Sequence, residues 1–238
     1  MTVDCHSHVL PELDDGSRSL KESLAMLQQE ARQDIRHVIA TPHFYARQDN
    51  PETFLRERAR AAQVLRQVLA RFSNAPKLYV GAEVHFFHGM SESDILAELT
   101  IDKKGCILVE MPYGKWTADM YRELENIWVR QGLKPVIAHV DRYIHPLKTR
   151  QIPEQLAQLP VLVQANADFF LNRATAGFAL RLLKADRIHL LGSDCHNLTD
   201  RAPNLGDAVD VVRRHLGEDA VHRLNRHAAA VLEDDSIL

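Results

Sequence analysis

Cysteine is scarce in this chain of 238 residues: Cys5, Cys106 and Cys195 are its three examples, and each lies inside a strand-like apolar run, away from any disulfide-framework spacing. Reduced thiols are expected, and no disulfide. Long apolar runs are missing as well. No stretch approaches the length that crosses a bilayer, and the opening residues carry neither a basic leader nor a signal-type apolar segment. A cytoplasmic protein without membrane insertion is expected. Basic blocks are also lacking, and with a formal net charge of −3 no nucleic-acid or anionic-membrane partner is expected. No low-complexity linker interrupts the chain, so residues 1–238 read as one domain. Hydrophobic residues at 45% and charged residues at 26% are ordinary globular composition, with ample material for a core.

What is present is a series of short apolar runs that end in metal-ligand residue types. The first is Asp4-Cys5-His6-Ser7-His8, followed by Asp14-Asp15-Gly16. Alternate residues of a strand share a face, so His6 and His8 point together while Cys5 and Ser7 face the other way. Alone, such a pair reads as a strand that happens to carry two histidines. Five further runs change that reading. His37-Val38-Ile39-Ala40-Thr41-Pro42-His43 delivers His43, and Lys77-Leu78-Tyr79-Val80-Gly81-Ala82-Glu83 delivers Glu83. Cys106-Ile107-Leu108-Val109-Glu110 delivers Glu110, Pro135-Val136-Ile137-Ala138-His139 delivers His139, and the run from Ile188 ends in Asp194 and His196. Buried parallel strands read as continuous apolar runs of this length, and a polar residue at the carboxyl end of each is hard to explain as core.

Helical periodicity fills the gaps. Residues 19–33 carry Leu20, Leu24 and Leu27 at helical spacing, with Ser19 as cap and Glu22 in the capping-box position. Residues 51–72 form a longer amphipathic helix with Pro51 in its first turn. Helices over 91–99, 117–131, 173–184 and 205–216 follow, with two short helices over 218–232. This βα order, repeated about seven times, predicts an α/β fold with a parallel sheet curled into a barrel. Strand carboxyl ends then form one face, and the loops 11–18, 142–151 and 197–203 lie on it beside the ligands.

That face gathers His6, His8, Asp15, His43, Glu83, Glu110, His139, Asp194 and His196. Imidazoles and carboxylates without a forced thiolate suit Mn²⁺, Fe²⁺ or Zn²⁺, and nine donors exceed what one ion uses, so two or three ions are implied. A carboxylate such as Glu83 can bridge two of them, and hydroxide activated by adjacent metals hydrolyses phosphate esters. Arg142 and Arg201 offer planar donors for a phosphoryl group.

Together with Ala40-Thr41-Pro42-His43, Gly81-Ala82-Glu83, Ile137-Ala138-His139-Val140-Asp141-Arg142-Tyr143, Gln164-Ala165-Asn166 and Ser193-Asp194-Cys195-His196-Asn197, in this order, the chain resembles the PHP (polymerase and histidinol phosphatase) metallohydrolases. Within them it is similar to the bacterial tyrosine phosphatases of capsule and exopolysaccharide loci. The resemblance implies a distorted (β/α)7 TIM-like barrel with three metals, Mn²⁺ foremost. By it, His6, His8, Glu83 and Asp194 hold the first metal, Glu83, Glu110 and His139 the second, and Asp15, His43 and His196 the third. Arg142 and Arg201 match the phosphate-binding arginines, although Asp141 stands where relatives often have Glu. The implied substrate is a phosphotyrosine protein, the tail of a bacterial tyrosine autokinase that controls polysaccharide assembly. A phenol, with a pKa of about 10, leaves more readily than an alkoxide, so a dedicated general acid is less necessary.

Rival readings remain open at this level. Cys195 and Arg201 form C-x5-R, the spacing of cysteine-dependent tyrosine phosphatases, but the intervening residues have no glycine and include Asp200. A histidinol-phosphate phosphatase or another small phosphoester hydrolase would use almost the same ligands, and a catalytically silent metal-binding scaffold would keep them. His85 and His88 read as neighbours of the site or solvated residues, and His37, His145, His189, His215, His222 and His227 as surface or packing residues. Phe44-Tyr45 and Phe86-Phe87 can sandwich a phenyl ring or pack the rim. Arg56, Glu57, Arg58 and Arg60 read as a solvated helix face or an oligomer contact, and Asp141 as a general acid or a partner of the ligands.

Overall fold

The structure is a computed structural model that describes residues 2–144, 149 and 151–233. His145 and most of the loop expected over 142–151 lie outside the described residues.

Nine strands occur among the described residues, and every pairing between them is parallel. β1 (Val3–Ser7) pairs with β2 (His37–Ala40), which pairs with β4 (Lys77–Val80). A second row runs β3 (His43–Phe44), β5 (Glu83–His85), β6 (Cys106–Glu110), β7 (Lys134–Ile137), β8 (Leu162–Asn166) and β9 (Leu190–Gly192). A parallel bridge between Ser7 and Cys195, with the His8 amide donating to the Cys195 carbonyl at 2.9 Å, brings the end of β9 back beside β1. The sheet therefore curls on itself.

Helices alternate with the strands. α1 (Leu20–Arg32) follows β1, α2 (Pro51–Leu69) follows β3, and α3 (Ile95–Leu99) follows β5. After β6 comes α4 (Ala118–Gln131), after β7 come α5 (Asp141–Ile144) and α6 (Ile152–Leu156), and after β8 come α7 (Ala167–Leu171) and α8 (Ala176–Lys184). α9 (Leu205–Leu216) and α10 (Glu218–Glu233) close the described chain. The Ser19 hydroxyl accepts the Glu22 amide at 3.2 Å to start α1, while the Glu22 carboxylate takes the Arg18 amide at 2.8 Å. Asn50 caps α2 ahead of Pro51, and Thr117 caps α4.

Several expectations change. The runs ending in His43 and Glu83 are each two strands, β2 then β3 and β4 then β5, broken where Pro42 lacks an amide hydrogen and where Gly81 intervenes. Hydrogen bonds still cross these breaks, from the Gly81 amide to the Ala40 carbonyl and from the Glu83 amide to the Pro42 carbonyl, both 2.9 Å. β8 is a strand that the apolar periodicity did not mark. The two short C-terminal helices are one continuous helix, α10. Arg58 is not solvated: only 7% exposed, it donates to the carbonyls of Gly81 and Glu98 at 2.9 and 2.7 Å, while Arg56, Glu57 and Arg60 are exposed as expected.

The core has two parts. Cys5, Ile39, Tyr79, Cys106, Leu108, Val136, Leu162 and Leu190, drawn from successive strands, pack together within the curl. The larger cluster, with Met26, Leu27, Val38, Leu65, Val109, Leu124 and Leu183 among its members, joins the outer face of the sheet to the helices. The alternation of strand side chains sorts residues between the two layers.

Candidate metal centre

The carboxyl ends of the strands bring the expected ligands together. His6 lies at the end of β1 and His8 just past it, His43 and Glu83 begin β3 and β5, and Glu110 ends β6; His139 follows β7, and Asp194 and His196 follow β9. Glu83 sits at the middle. Its Oε2 lies 3.1 Å from His6 Nε2, 3.2 Å from His8 Nε2 and 3.1 Å from His43 Nδ1, and its Oε1 lies 2.7 Å from His139 Nε2. Asp194 Oδ1 is 3.5 Å from both His6 Nε2 and His8 Nε2. Asp15 Oδ1 is 3.3 Å from His196 Nε2 and 3.5 Å from His43 Nε2, and Glu110 Oε1 is 3.6 Å from His139 Nε2.

Three compact donor sets result. One is His6, His8, Glu83 and Asp194; a second is His8, Asp15, His43 and His196; a third is His43, Glu83 and Glu110. Against the grouping implied by the resemblance, His8 also joins the Asp15 set and His43 joins Glu83 and Glu110, while His139 approaches those two carboxylates directly.

The ring contacts fit cation binding. His8 Nδ1 faces Asp14 Oδ2 at 2.7 Å, His6 Nδ1 faces Gln164 Oε1 at 3.3 Å, and His196 Nδ1 faces the Asp194 carbonyl at 2.9 Å. An Nδ1–H donated to each acceptor leaves the Nε2 lone pair aimed into the cluster, where His6 Nε2 and His8 Nε2 stand 3.2 Å apart. Once both Nε2 atoms are deprotonated, their lone pairs converge on a position that one cation can share. The buried nitrogens His43 Nδ1, His139 Nδ1 and His196 Nε2 have no hydrogen-bond partner. Imidazole and carboxylate donors in this proportion fit divalent transition metals.

Charge is arranged to the same end. Burial alone would raise the pKa of Glu83, but in the metal-free cluster His6, His139 and His8 hold it well below the usual carboxylate range. Against their own burial, His6 and His8 are raised in turn above the ordinary imidazole value by Glu83 and Asp194, with Asp14 adding to the effect at His8, so a cation entering the cluster displaces protons. Burial likewise works against ionised Asp194, and His6, His8 and Arg142 outweigh it. Asp14 is held down at about 2 despite its burial, chiefly by the His8 hydrogen bond. Burial and the neighbouring His8 push His196 down to about 4. Anionic carboxylates and a neutral His196 near pH 7 are the ligand forms of these groups.

Residues outside the expected ligand set hold it in shape. The Gln164 side chain, fully buried, accepts the His139 amide at 2.5 Å and passes its own amide to Asn166 Oδ1 at 3.0 Å. Asn166 Nδ2 then donates to Asp194 Oδ2 at 2.9 Å. His139 and Asp194 both take left-handed backbone, with φ of 31° and 53°, which costs a residue with a Cβ and recurs at functional sites. The Asp194 amide donates to the His6 carbonyl at 2.8 Å, and Asp4 takes the Ser193 amide at 2.9 Å and its hydroxyl at 2.5 Å, fixing this turn. Gly192 is needed because a Cβ there would meet His6 Cβ at 2.5 Å, and one on Gly16 would meet the His8 carbonyl at 2.3 Å. Asp14 stands beside Asp15 in the sequence, whereas nothing in the spacing of Gln164-Ala165-Asn166 signals a hydrogen-bonding role.

Arg142 and Arg201 meet on Asp194, Arg142 Nη2 at Oδ2 and Arg201 Nη2 at Oδ1, the latter 2.9 Å away. Asp141 Oδ1 accepts the Asn166 amide at 2.9 Å, the geometry of a partner in the network. His85 Nδ1 is 3.1 Å from Glu110 Oε2, and His88 is exposed with an edge contact to Phe86. Cys195 is fully buried, its thiol pKa pushed up by burial and by Glu30 and Asp4, which is the opposite of an activated nucleophile.

A curled parallel α/β sheet with a buried cluster of imidazole and carboxylate donors at its strand ends is the arrangement of a metal-binding α/β protein. Residues 2–233 match the family described as "Capsular polysaccharide synthesis, CpsB/CapC", and the chain belongs to that family. It is 28% identical to the tyrosine-protein phosphatase YwqE of Bacillus subtilis (strain 168), over 99% of this chain and 93% of that one. It is 26% identical to the tyrosine-protein phosphatase CpsB of Streptococcus agalactiae serotype III (strain NEM316), over 93% of this chain and 94% of the relative. A solved structure from work on YwqE and Streptococcus pneumoniae CpsB, described as unique metal-dependent tyrosine phosphatases, superposes with a TM-score of 0.88 at 24% identity, covering 100% of this chain and 96% of the other.

Proposed function

We propose that this chain is a metal-dependent protein-tyrosine phosphatase that hydrolyses phosphotyrosine in one step, without a phosphoenzyme. The observation that carries this reading is the gathering of nine ligand-type side chains with Glu83 at their middle, eight besides Glu83 itself, and two arginines on Asp194. His6, His8, Glu83 and Asp194 would hold one ion, Glu83, Glu110 and His139 a second, and Asp15, His43 and His196 a third; Mn²⁺ suits this donor set best. Bound ions supply Lewis acidity, lowering the pKa of water and offsetting charge on the phosphoryl oxygens.

The chain's own residues do the rest. Arg142 and Arg201, 28% and 34% exposed at their side chains, present N–H groups to the equatorial oxygens as charge builds there. Gln164 and Asp14 keep the His6 and His8 rings oriented. A phenolate leaves without a dedicated acid, which favours phosphotyrosine over phosphoserine. On this reading the substrate is the tyrosine-rich tail of a tyrosine autokinase in capsule or exopolysaccharide synthesis, and the capsule-synthesis family supports that setting. We further read the chain as one cytoplasmic domain over 1–238, a distorted (β/α)7 barrel whose broken rows β2–β3 and β4–β5 count once each. No helix among the described residues is long and apolar enough to cross a membrane.

The test is phosphate release from a phosphotyrosine peptide, a phosphoserine peptide and histidinol phosphate, after chelation and again after Mn²⁺ is restored. Chelator-sensitive turnover that returns with Mn²⁺, is greatest on phosphotyrosine and survives Cys195→Ser is expected. Metal-dependent preference for histidinol phosphate would change the substrate, and chelator-resistant turnover lost in Cys195→Ser would refute the mechanism.

A further inference from the structure

A phosphomonoester has two unlike ends, and the two flanks of the cluster differ in the same way. Arg142 and Arg201 stand at Asp194, beyond the ends of β7 and β9. The flank beyond β3, β5 and β6 sets aromatic and apolar side chains among polar ones, Gln48 and His88 included. A cavity of about 380 Å³ lies there, lined by Tyr45, His85, Phe86, Phe87, Pro112 and Met120, with exposed Arg47 also bordering it. Its volume falls within the range of small-molecule sites.

Two residues that line the cavity, His85 and Tyr45, also contact the cluster. His85 Nδ1 lies 3.1 Å from Glu110 Oε2, and the Tyr45 ring centroid is 5.5 Å from the rings of both His43 and His85. His43 in turn is 3.1 Å from Glu83. Of the aromatic residues flagged in the sequence, Phe44 is fully buried against Phe54 and takes no part, whereas Tyr45 and Phe87 are half-buried and face available space.

We propose that this cavity is the leaving-group subsite, taking the phenyl ring of an aryl phosphomonoester while the phosphoryl group lies toward Arg142 and Arg201. Tyr45 and Met120 then set the preference for aryl over alkyl esters, by ring-to-ring and ring-to-thioether contact. The inference rests on the phosphatase reading of the site.

Its test uses the Mn²⁺-loaded protein and two probes that cannot be hydrolysed, phenylphosphonate and methylphosphonate, titrated calorimetrically. The phenyl compound is expected to bind the wild type roughly tenfold tighter. That ratio falls toward one in Tyr45→Ala or Met120→Ala, whose thermal melts verify folding, while Arg142→Ala weakens both probes together. A ratio near one in the wild type, or one that survives both substitutions, overturns the subsite. Turnover of the phosphotyrosine peptide is followed in parallel: its absence with the ratio intact would sink the phosphatase reading and leave the aryl subsite standing.

Discussion

Glu83 faces four imidazoles at once, and no other side chain in the cluster can replace both of its oxygens. Glu83→Ala is expected to lower kcat by roughly a hundredfold or more, with the variant folded by circular dichroism; near-normal turnover would remove Glu83 from the centre of the scheme. Gln164 acts one step further out. Gln164→Leu removes the acceptor shared by the His139 amide and the His6 ring and should weaken Mn²⁺ binding roughly 10- to 100-fold in a competitive chelator titration. Gln164→Glu keeps an acceptor there and should recover most of that loss, so equal losses in both variants would show that the contact is only packing. A third residue gives a pH signature. Glu30 is fully buried on α1 within 4.8 Å of Asp4 and Cys195, and neither of its carboxyl oxygens has a hydrogen-bond partner. Burial and the Asp4 charge raise its pKa well above the ordinary 4.5. A raised folded pKa means that its contribution is fully present below the unfolded value and is lost as pH rises through the folded one. The melting temperature of the wild type should therefore fall relative to Glu30→Gln from about pH 5 upward; parallel curves would mean that Glu30 does not titrate in this way.

Elements behave as the sequence says wherever the signal is local, and depart from it where the partner is distant. The caps at Ser19, Asn50 and Thr117 lie within three residues of the amides they satisfy, so the starts of α1, α2 and α4 are legible. Arg58 is the counterexample. Its neighbours Arg56 and Arg60 do face water, and only the fold reveals that the Arg58 guanidinium runs under α2 to the Gly81 and Glu98 carbonyls, ahead of the turn that aims Glu83. Arg58→Met keeps the apolar stem and strands two buried acceptors, and about 2–3 kcal/mol of stability should be lost in urea unfolding, against less than about 0.5 kcal/mol for Arg60→Met. Equal effects would return Arg58 to the solvated face. β8 went unmarked for a related reason: its five residues end in polar Gln164 and Asn166, whose role is set by His139 and Asp194 from neighbouring rows. All the expected ligands except Asp15 stand at or near the end of an apolar run, which makes them legible, whereas Asp15 in its loop and the residues that orient the ligands carry no such mark.

At the scale of the molecule the site depends on closure. His6 and Asp194 come from opposite ends of the chain and meet only because the turn after β9 bridges back to β1 at Ser7 and Cys195. Ionised Glu83 and Asp194 are then held in one dry region by histidines and arginines, so part of the closing free energy is spent against burial. Divalent ions binding only the closed form stabilise it by mass action, about 2.7 kcal/mol for one site at a hundred times its Kd. For a chain of this length each kcal/mol moves the melting temperature about 2–4 °C, so Mn²⁺ should raise it by roughly 5–10 °C per ion bound, and chelation should reverse the gain. The set at Asp194 should answer differently from the set at Asp15. Asp194→Asn removes a charge contacted by two arginines as well as a ligand oxygen, so it should cost stability with chelator present and also shrink the Mn²⁺ increment. Asp15, 65% exposed at its side chain, should be nearly silent with chelator and shrink the increment alone when replaced by Asn. Differential scanning calorimetry of both variants with and without Mn²⁺ separates these outcomes, and an unchanged increment in both would mean that the metal energy does not pass through the closure between β1 and β9.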